Sequence, residues 1–247
     1  MTFLPILFLL TAVLYSSVGF GGGSTYLALL LIWEVPYFIF PVIALLSNII
    51  VVSGNCFNYI KAGNLNLKLL LPYLIGSIPL AYIGGSLSIE KKLFEILLFF
   101  VLVIAGISLL FNFKSYDDTK IIYKKISTFN SILIGGVLGF ISGVIGIGGG
   151  IFLSPILFLM KAAKPKQIIT TASLFILINS IFGIFGHLTK NKVFLEIPNY
   201  WYLLLAVLIG GQIGNFLNLR IFPSKVLVLI TALLVLVVAI RTGFRFI

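Results

Sequence analysis

The stretch GFGGGSTY, residues 19–26, sets four glycines in five positions between two runs of leucine and isoleucine. One hundred and twenty-seven residues later, GIGGGIFL at 146–153 repeats the pattern in a similar setting. Both stretches interrupt apolar sequence, and the surrounding composition explains why that matters. The chain of 247 residues is 60% hydrophobic and 9% charged, with a mean hydropathy of +1.22. A soluble domain of this length needs a charged exterior, and these residues cannot supply one. The sequence therefore predicts an all-α integral membrane protein that crosses the bilayer many times.

Eight hydrophobic segments can be marked, at about 3–33, 37–60, 67–88, 93–113, 130–160, 167–188, 200–221 and 225–244. The opening MTFLPILFLLTAVLYSSVGF lacks the basic start of a secretory signal. Its counterpart Ile132–Gly150 lies deep in the chain, so the opening reads as structural. Cys56 is the single cysteine, which excludes an internal disulfide and points to helix packing. The net charge of +11 is spread through short connections. That distribution fits loops that fix membrane orientation and argues against a nucleic-acid partner.

The segments fall into two sets of four. Residues 1–113 read as a first transmembrane repeat, 114–128 as a polar connecting loop and 129–247 as a second repeat. Shifted by 127, GFGGG falls on GIGGG. Shifted by 126, Ser47 falls on Ser173 and Ser53 on Asn179. Shifted by 134, Gly76 falls on Gly210, Ala81 on Asn215, Lys91 on Lys225 and Ala105 on Ala239. An ordered series whose offset drifts only at loops is the mark of a diverged duplication. Secondary transporters are commonly built this way, with the substrate site near the bilayer midplane between repeats.

The first segment of each repeat is about thirty residues long, which as one helix would reach roughly 45 Å. A hydrocarbon core is about 30 Å thick. Glycine weakens a helix interior and readily takes positive φ, so each cluster is expected to break its segment into two half-helices. Lipid tolerates such a break only where it is buried in protein or lines a cavity. If all eight segments cross, the seventeen Lys and Arg divide ten to seven between the faces. If each glycine segment turns back on itself, the division is eleven to six and the repeats are inverted. The second arrangement follows the positive-inside rule more closely.

A broken helix presents unpaired N–H groups and a partial positive charge at the start of its second half, which suits an anion. Gly21, Gly22, Gly23, Ser24 and Thr25 would offer N–H groups and two hydroxyls. Gly148, Gly149 and Gly150 would offer backbone alone. Gly135, Gly139 and Gly143 are spaced by four and read instead as a helix-packing face, with Ala12 and Ser16 as small counterparts. A dinucleotide loop does not fit, because no strand precedes the glycines and no carboxylate follows at the right distance.

Polar residues inside spans concentrate in equivalent segments. The second carries Ser47, Asn48, Ser53, Asn55 and Asn58; the sixth Thr170, Thr171, Ser173, Asn179 and Ser180; the seventh Gln212, Asn215 and Asn218. Any one of them can serve an interhelical hydrogen bond, whereas the set suggests a polar cavity. Asn48, Ser173, Asn179 and Asn215 are the candidates for substrate contact. All six carboxylates fall in connections or first turns, so no buried acidic proton relay is expected. His187 reads as an interfacial histidine. No cluster suggests a metal, no cofactor is implied, and no serine has the partners for nucleophilic catalysis.

The paired motifs GFGGGS and SGVIGIGGGIFLSPIL (142–157) resemble those of the TauE/SafE family of sulfite exporters, and the resemblance extends over essentially the whole chain. Gly210 and Gly214 fit the same pattern, while Leu80 stands where the second repeat has Gly214. The resemblance implies a secondary transporter for sulfite or organosulfonates, often exporting, in a bacterial plasma membrane. Its implied partners are a small anion and the lipid bilayer, and a homodimer is compatible with it. An anion channel and a non-transporting scaffold are the alternatives.

Overall fold

The computed structural model describes residues 3–112, 126–190 and 196–218, with isolated positions 233, 236 and 240. The eighth segment and most of the polar connection lie outside the described residues, as do Lys225 and Ala239. The described residues are helical throughout: α1 Leu4–Val18, α2 Gly23–Ile32, α3 Phe40–Lys61, α4 Leu67–Ser86, α5 Lys91–Asn112, α6 Thr128–Ile145, α7 Gly150–Leu159, α8 Pro165–His187 and α9 Trp201–Asn218. Five described helical stretches are long and apolar enough to cross a membrane: Tyr37–Lys61, Leu67–Ser86, Thr128–Ile145, Pro165–His187 and Ile197–Leu217. A polytopic membrane protein is what these helices form.

Local chemistry sets the boundaries. Pro41 and Pro165 occupy first-turn positions where a missing N–H costs nothing. Asn66 caps α4 by accepting from the Leu69 N–H at 3.2 Å. The long first segment of each half is broken at its glycines. Gly19 ends α1 and Gly146 ends α6, both at positive φ, while Gly22 and Gly149 precede α2 and α7, also at positive φ. Glu34 and Lys161, just past the short helices, adopt φ of 55° and 50°. Each of these three pairs stands 127 residues apart.

Both breaks reverse the chain. Phe8 and Tyr26 stack with ring centroids 4.8 Å apart. Along a continuous helix, eighteen residues would separate them by about 27 Å, so α2 must return along α1. The position a Cβ would take at Gly149 lies 3.3 Å from the Leu138 carbonyl oxygen and 3.5 Å from Ser142 Cβ. Gly149 thus sits beside the body of α6, and the turn after α6 also folds back.

Helix directions follow from glycine contacts. Gly210 packs on Leu9 and Ala12, and Gly214 on Val13 and Ser16, so α9 runs parallel to α1. Gly76 packs on Ile132 and Gly136, and Gly84 on Phe140 and Val144, so α4 runs parallel to α6. In α3 and α8, Leu45 meets Gly183 at one end, while Tyr59 and Ile169 meet at Gly19 at the other, so this pair is antiparallel. One face of the bundle therefore carries the end of α3 and the starts of α4 and α8. The second face carries the start of α3 and the ends of α4 and α8.

The glycine stripe on α6 is a packing face. A Cβ at Gly135, Gly139 or Gly143 would strike the carbonyl oxygen of Tyr73, Ser77 or Ala81, one turn apart along α4. Small residues let the backbones approach, as membrane helices require where no hydrophobic effect drives them together. Leu80 keeps this seam closed because Gly136 faces it: a Cβ there would lie 2.9 Å from Leu80 Cδ1. The small residue has moved to the opposing helix.

Candidate functional site

Asn48, fully buried on α3, stands where the two glycine turns converge. Its Nδ2 donates to the Ile147 carbonyl oxygen at 3.1 Å. A Cβ at Gly23 would lie 2.7 Å from that nitrogen, and one at Gly148 2.8 Å from it. Gly21 faces Asn48 Oδ1 just as closely. Three glycines thus exist here so that an amide side chain can reach both backbone turns. The turns touch each other as well, since a Cβ at Gly23 would also lie 2.8 Å from the Ile147 oxygen.

The short helices aim their N-termini into this region. Among the described residues, no acceptor bonds the N–H groups of Gly21, Gly22, Gly23 or Ser24, nor those of Ile147, Gly148, Gly149 or Ile151. Asn48 Oδ1, Ser142 Oγ and Ser180 Oγ beside the turns are buried without a partner. A Cβ at Gly148 would lie 3.3 Å from that Ser180 oxygen. Buried polar groups are normally satisfied, so so many orphans in one place call for a polar occupant. Two helix N-termini with free N–H groups specify negative charge.

The turns enclose a void of about 10 Å³, lined by Tyr15, Phe20, the first glycine turn, Ile147 and Ile176. That is roughly the space of one water. That space is smaller than a sulfur oxyanion.

The remaining expected residues divide by location. Thr25 Oγ1 lies 2.7 Å from Tyr15 OH and Ser24 Oγ lies 3.4 Å from it, so both hydroxyls are tied to α1. Ser173 donates to the Gly19 carbonyl at 2.5 Å and to Ile169 at 3.0 Å, bracing the first turn from α8. Asn179 Nδ2 donates to Phe175 on its own helix at 2.8 Å, leaving Oδ1 unpartnered. Asn215 is set apart. Its Oδ1 accepts from Asn58 at 3.0 Å, and Asn58 lies ten residues, about 15 Å, along α3 from Asn48. Gly22, Gly149 and Gly150 shape the turns, with Phe175 and Ile176 packed over the last two.

Tyr15, Ser142, Ser180 and the Ile147 carbonyl join the site without having been singled out for it. Tyr15 precedes the first glycine turn by one helical turn, a signal the sequence contains. A backbone carbonyl has no signature. Among the described residues, no group of His, Cys, Asp and Glu could hold a metal.

The family model described as "Sulfite exporter TauE/SafE" matches residues 4–242. A Sinorhizobium fredii protein named "Probable membrane transporter protein" is 27% identical over 96% of both chains. Proteins of the same description from Methanocaldococcus jannaschii and Bacillus subtilis are 28% and 24% identical. They cover 94% and 95% of this chain, and 92% and 94% of their own. No solved structure matches the chain. The chain belongs to the sulfite exporter TauE/SafE family and is an integral membrane transporter.

Proposed function

Taking that membership as premise, we propose that the protein is a secondary transporter moving sulfite or a small organosulfonate by alternating access. The anion is held between the two glycine turns, near the bilayer midplane. The observation that carries this reading is the convergence of two helix N-termini on Asn48, whose oxygen has no partner. A sulfur oxyanion has several oxygens and negative charge, which N–H donors of two turns meet without a buried lysine. Sulfite itself binds a proton near neutral pH, so coupling requires no titrating carboxylate. Export from a bacterial plasma membrane is the direction that the family description supports.

The two halves, 1–113 and 129–247, are on this reading inverted repeats, each opening on a re-entrant hairpin. The antiparallel course of α3 and α8 supports it, as do the reciprocal pairs α1 with α9 and α6 with α4. Inverted repeats supply two alternate conformations of equal architecture, which is the physical basis of alternating access. In this arrangement Pro41 against Gly146 and Ile169 against Gly19 are equivalent closures toward opposite faces.

Counterflow of labelled sulfite in proteoliposomes tests the proposal. Wild type is expected to show saturable exchange, lost in folded Gly22→Val and Gly149→Val variants. Both substitutions place a branched side chain at a positive-φ turn. Unsaturable flux would indicate a channel. Undiminished exchange in both variants would remove the anion from the glycine turns.

A further inference from the structure

The second face holds a cavity of about 740 Å³ at the start of α3 and the ends of α4 and α8. Its walls include Tyr37, Ser86, Ser88, His187, Thr189 and Lys190. His187 is 2% exposed, and its Nε2 lies 2.9 Å from the Gly143 carbonyl oxygen. A ring nitrogen facing a carbonyl must carry the proton. The Lys190 ammonium approaches the other nitrogen, Nδ1, at 3.4 Å and also donates to the Leu87 carbonyl. An ammonium there requires Nδ1 to be the acceptor, so the imidazole is neutral.

Lys190 is then the one cation among the described residues lining the cavity, and the lining contains no carboxylate. Lys91 and Glu95, which bracket the lining residue Phe94 in sequence, pair with each other at 3.9 Å. Burial pushes the Lys190 ammonium down to about 8, as expected of a charge with no counter-ion. The cavity floor includes Pro41 and Val144. Pro41 is the residue that Gly146 meets, with Cα 2.5 Å from where a Cβ would stand. The cavity thus reaches the residue on which the second glycine turn packs, and Asn48 lies seven residues further, about 10 Å along α3.

We propose that this cavity is a capture site for the oxyanion, which pairs with the Lys190 ammonium before or after passing the Pro41–Gly146 contact. It rests on the reading that the cargo is a small oxyanion. The neutral His187 holds the ammonium in place and the Ser88 hydroxyl supplies a further donor, while those of Ser86 and Thr189 donate to the Ile83 and Gly186 carbonyls at 2.8 Å. Local positive charge at a cavity mouth raises the concentration of anions there.

The test uses Thr189→Cys in a Cys56→Ser background, reconstituted as the full chain. Its reaction with a sulfonate-bearing methanethiosulfonate is compared with that of a trimethylammonium-bearing one. Relative to a free thiol, the sulfonate reagent is expected to be favoured by roughly twenty-five-fold, because one nearby unit charge in water attracts it about fivefold and repels the other reagent about as much. The preference should vanish in Lys190→Gln and persist in Lys190→Arg, and ethanesulfonate, which unlike sulfite does not attack the reagents, should slow labelling only where the cation is kept. Lys190→Met, which keeps the aliphatic stem, replaces Lys190→Gln if that variant does not fold. An unchanged preference without the cation, or no protection by ethanesulfonate, overturns the proposal. Counterflow on the same preparations separates the two readings: labelling bias without sulfite exchange defeats transport and leaves the anion site standing.

Discussion

The Asn48 amide nitrogen donates to the Ile147 carbonyl oxygen at 3.1 Å, so a helix of the first half holds the glycine turn of the second. On the proposed reading, that bond links the two elements that separate to admit the anion. Asn48→Leu removes the donor and leaves the carbonyl unpaired in a dry interior, at a cost of about 1–3 kcal/mol. Thermal unfolding of the purified protein in detergent should show the loss. An unchanged midpoint would mean that the bond contributes nothing to closure.

Two glycine substitutions, one in the α4–α6 seam and one where α9 faces α3, have opposite signs. At Gly143 a methyl group would strike the Ala81 carbonyl and approach the Gly85 nitrogen at 2.8 Å. Overpacking of this kind costs about 1–3 kcal/mol. At Gly211 the nearest atom, Val51 Cα, is 3.5 Å away. Gly211→Ala should therefore gain roughly 0.5–1 kcal/mol from helix propensity. Unfolding midpoints in one detergent should move down for Gly143→Ala and up for Gly211→Ala.

Topology is open to single-cysteine labelling with an impermeant reagent. The helix directions place Asn64 and Lys161 on one face, and Ser88 and Thr189 on the other. Eight simple crossings would instead put Lys161 with Ser88 and separate Ser88 from Thr189. Cysteines at these four positions, in a Cys56→Ser background, decide between the two patterns.

Lys190 makes anion capture pH-dependent. Its ammonium, lowered to about 8, is charged at neutral pH and neutral in mild alkali. Preference for the sulfonate reagent at Thr189→Cys should fall as pH rises through about 8, because the thiolate fraction affects both reagents equally. His187 and Tyr37 share the cavity, so Tyr37→Phe is one control. Lys190→Arg is the other, since arginine stays charged throughout and should give a flat profile.

Much of this architecture was legible because glycine announces itself. Gly19 to Gly22 and Gly146 to Gly149 break their helices where the clusters stand, and the 127-residue spacing recurs in Glu34 and Lys161. Matching Ser47 to Ser173 implies an offset of 126 between α3 and α8, whereas equivalent contacts imply 128. Pro41 on Gly146 corresponds to Ile169 on Gly19, and Asn48 over Gly21 and Gly23 to Ile176 over Gly148 and Gly150. Residue identity rewards like with like, but here equal packing positions carry unlike residues. The site is therefore asymmetric, with an amide from one half and an isoleucine from the other. Asn215 shows a second limit: its polarity is visible in sequence, but its position opposite Asn58 depends on how α9 packs on α3.

The most direct measurement is equilibrium binding of labelled sulfite to the purified protein, wild type against Asn48→Asp. The substitution keeps the side-chain size and places a carboxylate between the two glycine turns. Saturable binding by wild type, absent from a folded Asn48→Asp protein, is the result this account requires. Equal binding by both proteins would place the anion elsewhere and contradict it.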